Sequence, residues 1–423
     1  MKKKGTGIRE QGAGKTKRAG RRGAKTVQRE PAAAAGEDAR PVAVRKLAAA
    51  AETATLRTWA EVDLDAVGHN IRAVRQRLNS SCQLMAVVKA DAYGHGVVPV
   101  CRAALDAGAT WLGVATLGEG IALRLGGIDA PVLVLGGLTA GEVADGFAHR
   151  LSVSITSVEM VDTIIQAASR DAPASIHLKV DTGMTRLGVF PHEVPAALDR
   201  LATQRLALEG CYTQLACADD PNPDFTQEQL LRFQPVLTLV KSRFPNVVVH
   251  VANSAGALAY PQTHYDMVRV GLAMYGLYPA DHMRPLVSLR SVMRLHTRVV
   301  RTARVSPGAA VSYGAVFRTR RATTIATIAC GYADGYPRLA GDQGAVLIRG
   351  RRYPIAGRVC MDHLMVDVGD DPVAVGDSVQ LFGDEISADE VAAWAHTISY
   401  EILCGVGLRV PRIYIHGERA KES

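Results

Sequence analysis

Four stretches of the chain bring together side chains whose types and spacing can do chemistry. The first runs from Ala86 to Gly96 and places Lys89 directly after the apolar run Leu84–Val88, with Tyr93, Gly94 and Gly96 following. An amine at the edge of an apolar core is partly desolvated. That lowers its pKa from about 10.4 and makes it a nucleophile able to form a Schiff base with a carbonyl. The second, Lys179 to Gly188, carries Arg186, a fixed cation whose fork suits a carboxylate or a phenol oxygen. The third comprises Ala252–Gly256 and Asp266–Gly276, where Ser254 and the amides of Gly271 and Leu272 could bind a phosphate beside Arg269. The fourth is a series near the end: Tyr313, Tyr332, the run Cys360, Met361, Asp362, and Tyr400. Taken singly, each has a plainer reading: a surface lysine, an arginine tying two loops, a packing turn, or a packed tyrosine with its hydroxyl satisfied.

The elements that must position these residues are legible as well. Short β-rich apolar runs recur at Leu84–Val88, Trp111–Ala115, Val132–Leu135, Leu151–Ile155, Ile176–Val180, Leu206–Cys211, Val247–Val251 and Met267–Val270. Segments of helical spacing alternate with them, including Pro99–Ala107, Val158–Ala168 and Gln227–Val240. A helix over Leu64–Leu78, started by Asp63, precedes the first of these strands. The pattern predicts an α/β fold with an N-terminal (β/α)8, TIM-like barrel. An open doubly wound sheet gives the same local signal. The count of runs favours the barrel, and so does the position of the chemistry at strand ends. From about residue 291 the pattern turns to strands separated by Gly, Pro and Asp turns: Val292–Val305, Thr323–Ile328, Ala345–Ile348, Arg352–Pro354, Met365–Val368 and Ser378–Phe382, with one helix at Ser387–His396. The expected organisation is a basic extension over 1–56, a barrel over 57–290 and a mostly β domain over 291–423.

Charge is unevenly placed. Residues 1–46 hold 14 Lys/Arg against 4 Asp/Glu, whereas the rest of the chain holds 35 against 37. The folded body is near neutral, which does not support nucleic-acid binding. The extension has almost no large apolar residues and is expected to be disordered. Its segment Gly12–Thr16 resembles the end of a phosphate loop, but Arg9 stands where the first glycine belongs and no strand precedes it. No stretch reaches the ~18 apolar residues that span a bilayer. Seven scattered cysteines suit reduced thiols in a cytoplasm, and the histidines lack ligand spacing, so no metal site is expected.

From Ala86 to Gly96 onward, and over about residues 57–415, the chain resembles the alanine racemase family. The resemblance implies a pyridoxal 5′-phosphate enzyme in which Lys89 binds the cofactor as an imine. Tyr93, Ser254, Gly271, Leu272 and Tyr400 are then phosphate contacts, and Arg269 meets the ring nitrogen. It implies that Arg186 holds the substrate and orients a catalytic tyrosine, with Lys179 carrying a carbamate. Tyr313 becomes the second catalytic base, Tyr332, Cys360, Met361 and Asp362 belong to substrate-site segments, and Val410–Arg412 is structural. Tyr313 would come from the partner subunit, so a homodimer with shared active sites is expected, supplying D-alanine to cell-wall precursors.

Racemisation needs the α-proton removed from one face and returned to the other, and two bases do this directly. The resemblance gives Lys89 the D-enantiomer and Tyr313 the L-enantiomer. An arginine at the ring nitrogen stays protonated. It leaves the cofactor a weaker electron sink, which favours simple reprotonation over transamination. One position departs from the family: Gln214 stands where a histidine normally packs on the cofactor ring. A serine-preferring or broad-specificity racemase is therefore the main alternative. A barrel-type decarboxylase, which pairs the ring nitrogen with a carboxylate, fits Arg269 less well, and a non-catalytic cofactor carrier fits the added β domain less well.

Overall fold

The computed structural model describes residues 53–168, 174–202, 206–341 and 343–416. Most of the basic extension, Gly12–Thr16 included, lies outside them. Eight parallel strands form the first sheet in the order β8-β7-β6-β5-β4-β3-β2-β9. They are β2 Gln83–Val87, β3 Trp111–Val114, β4 Val132–Val134, β5 Ser152–Ile155, β6 Ser175–Val180, β7 Ala207–Thr213, β8 Val248–His250 and β9 Met267–Val270. Each falls on one of the eight apolar runs. Strands buried on both faces read as continuous hydrophobic stretches, which is why the runs were legible.

Closure takes place between β8 and β9. The Asp266 N–H donates to Val249 O at 3.0 Å and the Arg269 N–H to Ala252 O at 2.9 Å. The Asp266 carboxylate also accepts from the Val249 N–H at 2.8 Å, so a side chain supplies part of the seam. Met85, Trp111, Leu133, Tyr212 and Met267, from five different strands, form a buried cluster that fills the barrel interior. The result is a TIM-like barrel with helices between successive strands.

A mostly β domain follows. Its sheet runs β15-β14-β17-β10-β1-β18, where β1 is Thr58–Asp63, with β13 on β10 and β16 on β13. Here β10 is Met293–Val305, β13 Thr323–Ile328, β14 Ala345–Ile348, β15 Arg351–Pro354, β16 Leu364–Gly369, β17 Ser378–Phe382 and β18 Arg412–Ile415, while β11 Ala310–Val311 and β12 Phe317–Arg318 pair separately. The long β10 is the spine: its first half pairs with β17 and its second half with β13. Strand β1, Thr58–Asp63, precedes the barrel yet belongs to this sheet, antiparallel to β10 and parallel to β18. It was not anticipated, because Thr58, Glu61 and Asp63 interrupt any apolar run. All three are nonetheless buried, and the Thr58 hydroxyl donates to Ala329 O at 2.6 Å.

From β1 the chain passes directly into the helix Leu64–Arg75, whose first turn is capped by Asp63: its Oδ1 accepts from the Ala66 N–H at 3.0 Å. Val67, Ile71 and Val74 form its buried stripe. Within that stripe Asn70 donates to Met274 O at 3.0 Å and to Arg290 O at 2.8 Å. The helix thus ties the barrel to the segment that leads into β10. Asp63→Ala should lower stability by about 1 kcal/mol, the usual worth of an N-cap. A urea midpoint equal to that of the unmutated protein would show that water replaces the cap.

Candidate active site

Ten residues expected in the site line one cavity of about 580 Å³: Lys89, Tyr93, Lys179, Arg186, Gln214, Ser254, Arg269, Gly271, Leu272 and Tyr400. They come from the C-terminal ends of the strands and the loops that follow, where parallel barrels expose backbone and side chains to ligand. Tyr400 reaches the same cavity from the helix Ser399–Gly405 of the β domain.

Lys89 leaves β2 into an unusual turn. Ala90, Asp91, Ala92 and Tyr93 all have φ between 53° and 54°, a short left-handed coil of non-glycine residues. Such residues cost roughly 1–2 kcal/mol each in that region, so surrounding contacts must impose it. The Ala90 N–H donates to Glu119 Oε1 at 2.7 Å. The other oxygen of Glu119 accepts from the Ala115 N–H at 2.7 Å, and Glu119 also closes the capping box of its own helix. Asp91 Oδ1 accepts from the Val97 N–H at 2.8 Å. Arg412 Nε donates to Gly94 O at 2.9 Å. A Cβ on Gly94 would sit 2.4 Å from Leu403 O, so this turn and the Tyr400 helix touch backbone to backbone. The turn brings the Tyr93 ring against Tyr275 at 4.7 Å and Tyr400 at 5.9 Å.

Burial, with the nearby Arg186 charge, holds the Lys89 amine below the usual lysine range. Lys179 is lowered to about 8 by burial and by the charges of Arg269 and Arg186. Arg186 is placed by its loop: Asp181 Oδ1 accepts from the amides of Gly183, Met184 and Thr185 at 2.9, 3.0 and 3.1 Å, and Oδ2 from that of Arg186 at 3.2 Å. Arg269 is almost wholly buried. It donates to His250 O, Thr213 O and Val251 O at 2.7, 2.9 and 3.2 Å, and to Gln214 Oε1 at 3.0 Å. Gln214 is thus a partner of Arg269 as well as a cavity wall. At the other end the Ser254 hydroxyl accepts from the amides of Gly271 and Ala273 at 3.0 and 3.3 Å, which leaves its own O–H to donate. A Cβ on Gly271 would lie 2.7 Å from Tyr93 Oη, so only glycine leaves this corner open.

This donor set fits pyridoxal phosphate. Tyr93, Ser254, Tyr400 and the backbone near Gly271 and Leu272 suit a phosphate group. Lys89 suits a carbonyl, and Arg269 can donate to a ring nitrogen. Sequence reasoning missed Glu119, Asp181 and Asn253. Asn253, a cavity residue next to Ser254, and Asp181, at the head of an Asp-Thr-Gly turn within the Lys179–Gly188 stretch, carried local signals; Glu119 did not.

Tyr313, Tyr332, Cys360, Met361 and Asp362 are not among the residues that line this cavity. They form a second cluster, on three loops of the β domain. The Tyr332 N–H donates to Cys360 O and the Ala333 N–H to Met361 O, both at 3.0 Å. Ser312 Oγ donates to Arg358 O at 2.6 Å. Ser312, Gly314 and Ala315 all have positive φ around Tyr313. Asp362 is clamped by Arg409 at 2.8 Å, and Arg409 also pairs with the buried Asp334. Tyr313, Met361 and Tyr332 are 71, 53 and 42% exposed, an apolar and aromatic surface open to solvent in the single chain.

A closed barrel with an electropositive mouth, joined to a β domain that carries one wall of the mouth and a separate aromatic surface, defines a two-domain barrel enzyme. The model of the alanine racemase N-terminal domain matches residues 62–279 and that of the C-terminal domain residues 292–414. The chain belongs to the alanine racemase family. An alanine racemase of Symbiobacterium thermophilum is 47% identical over 365 residues, covering 84% of this chain and 97% of its own. One of Desulfovibrio desulfuricans is 43% identical over 362 residues, covering 84% and 98%. Among solved structures, the alanine racemase of D-cycloserine-producing Streptomyces lavendulae matches with a TM-score of 0.81 at 39% identity, covering 86% of this chain and 98% of that one.

The buried Lys179 has a measurable consequence. Below about pH 8 the folded protein holds a desolvated ammonium, and above 10.5 the amine is neutral folded or unfolded. Between those values the unfolded chain binds more protons, so stability rises with pH. In carbon-dioxide-free buffer Lys179→Met should lack that rise, read as the difference between the two proteins' urea midpoints. A constant difference across the window would contradict it.

Proposed function

We propose that the protein interconverts L- and D-alanine with pyridoxal phosphate, using Lys89 and Tyr313 as bases on opposite faces of the substrate. The observation that carries this is the joint placement in one cavity of a desolvated lysine, a phosphate-binding corner and a buried arginine. When bound through its aldehyde carbon to the substrate amine, pyridoxal phosphate supplies the electron sink for the pair left at Cα.

The chain's own groups do the rest. From L-alanine, Tyr313 Oη takes the α-proton on one face and Lys89 Nζ delivers a proton to the other. From D-alanine the roles exchange. Arg186 binds the substrate carboxylate and orients the Tyr313 hydroxyl. Lys179, lowered to about 8, has a neutral fraction at mild pH that suits it to carbamate formation, and a carbamate would answer the charge of Arg186. Met361, Tyr332, Cys360 and Asp362 shape the substrate side. Arg269 keeps its proton, so less of the charge at Cα would be drawn into the ring, which favours simple return of a proton over transamination. A carboxylate in its place would favour the decarboxylase alternative.

Because Tyr313 and its neighbours are exposed and lie off the cavity, the reading requires a homodimer. The partner subunit's loops would cover the barrel mouth and exclude water there. The seven cysteines are all unpaired, which agrees with a reducing, cytoplasmic setting.

Lys89→Ala and Tyr313→Phe should each be nearly inactive when followed by the change in optical rotation of L-alanine. Borohydride should fix cofactor to the Tyr313→Phe chain and not to the Lys89→Ala chain. Unfolded together and reassociated with cofactor, random pairing makes about half the dimers mixed, each with one intact site. Activity should return to about a quarter of the unmutated value. No recovery in demonstrated mixed dimers would place both bases in one chain. A second test concerns Gln214. Gln214→His retains an acceptor for Arg269 and should keep cofactor and activity. Gln214→Leu loses a hydrogen bond to a charged group and should hold cofactor roughly ten-fold more weakly. Equal retention by all three proteins would remove Gln214 from the binding set.

A further inference from the structure

The five hydrogen bonds of Arg269 all go to neutral acceptors: three backbone carbonyls, Gln214 Oε1, and His250 Nδ1 at 3.1 Å. A buried cation without a compensating charge is costly, so the compensation must reach it by another route. One is visible inside the barrel. His250 Nε2 lies 2.9 Å from His177 Nδ1. His177 Nε2 lies 3.4 Å from Glu209 Oε2. Glu209 Oε2 also accepts from the Ser152 hydroxyl at 2.9 Å. Both imidazoles are wholly buried, and the Glu209 side chain is about one-third exposed.

The direction of this chain follows from one fact: a guanidinium N–H can only donate. His250 Nδ1 must therefore accept from Arg269, which leaves the His250 proton on Nε2, donating to His177 Nδ1. The proton of His177 then sits on Nε2, which lies 3.4 Å from the Glu209 carboxylate. We propose that Glu209 is the remote counter-charge of Arg269, acting through His177 and His250, and that these three are positioning residues for the arginine.

The backbone is built for this arrangement. The β6–β7 register slips between Ile176 and His177: Ile176 pairs with Leu208 but His177 with Gly210, so Glu209 is the extra residue of a bulge. Bulges re-aim side chains. Glycine at 210 is required, since a Cβ there would lie 2.1 Å from His177 Nδ1. The rings are fixed from the side: Tyr212 stacks on His250 at 4.5 Å, and Trp111 meets His177 edge-on at 5.4 Å. Burial lowers the pKa of both histidines, which agrees with neutral rings.

The inference deepens the racemase reading and rests on it for its consequence. A carboxylate set directly on the ring nitrogen would share a proton with it. A carboxylate held two imidazoles away compensates the charge of Arg269 yet offers the ring no acid.

The test is nitrogen NMR of the histidine-labelled holoprotein, with alanine kinetics alongside. His177 and His250 should both be neutral and protonated on Nε2. In Glu209→Gln the charge is lost while an acceptor remains. The nitrogen signals of both rings should move, and kcat should fall about ten-fold, the order of one weakened charge-assisted hydrogen bond, with little change in KM. A His250 proton on Nδ1 in the unmutated protein would overturn the proposal. So would unmoved nitrogen signals and unchanged kcat in the variant. If Glu209→Gln does not fold, the tautomers of the unmutated protein decide alone. Failure of that unmutated protein to bind pyridoxal phosphate would instead refute the racemase reading, since the tautomers can be read without the cofactor.

Discussion

Lys89, Lys179, Arg186 and Arg269 converge on one cavity with little solvent to screen them. Like charges in a poorly hydrated space repel, and proteins answer in one of a few ways: shed protons, recruit acceptors, or bind anions. The first two responses are present. The two lysines are pushed toward their neutral forms, which is the form in which an amine attacks a carbonyl or takes a proton. The two arginines, which cannot follow, are held by carbonyls, an amide and an imidazole, or by a loop wrapped on Asp181. The uncompensated remainder is a positive field aimed at the cavity, suited to a phosphate at one end and a carboxylate at the other. Reactivity and ligand choice thus have one electrostatic origin.

The β domain completes this arrangement in two ways. Its helix Ser399–Gly405 places Tyr400 in the cavity and braces the strained turn after Lys89 through the contact of Gly94 with Leu403. Its three loops around Tyr313, Tyr332 and Met361 hold an aromatic surface rigidly, by hydrogen bonds between loops and by the Arg409 clamp on Asp334 and Asp362, without bringing it to the cavity of the same chain. An exposed aromatic and apolar surface of this kind marks an interaction site, and the partner's barrel mouth is the occupant the proposed reaction needs.

How far the molecule was legible from sequence depended on whether the deciding interaction was local. Barrel strands such as Val132–Val134 and Met267–Val270 announced themselves because both faces are buried, and Asp63 marked a helix start by the chemistry of its own side chain. Strand β1 did not, because its polar residues find partners some 240 positions away, Thr58 with Thr297 for example. Apart from Asp91, nothing in the run Ala90, Asp91, Ala92 and Tyr93 favours a left-handed coil. Glu119 and Arg412 impose it from distant segments. Lys89, Arg186 and Arg269 were readable as reactive types at strand ends. The link from Arg269 to Glu209 was not, since His177 and His250 meet only after the barrel closes and a bulge turns Glu209 inward. Gln214 was visible as a departure, while its bond to Arg269 was not.

Strand β1 emerges from the ribosome before any of the barrel, yet its two neighbours in the sheet, β10 and β18, are made only after the barrel is complete. Throughout that interval neither edge of this segment has its partner strand. Unpaired edges of this kind recruit other strands. The interval lasts for more than half of synthesis, so the exposure is set by the rate of translation and not by the speed of any folding step. Slower elongation within the barrel segment would lengthen the time for which β1 waits for its partner strands.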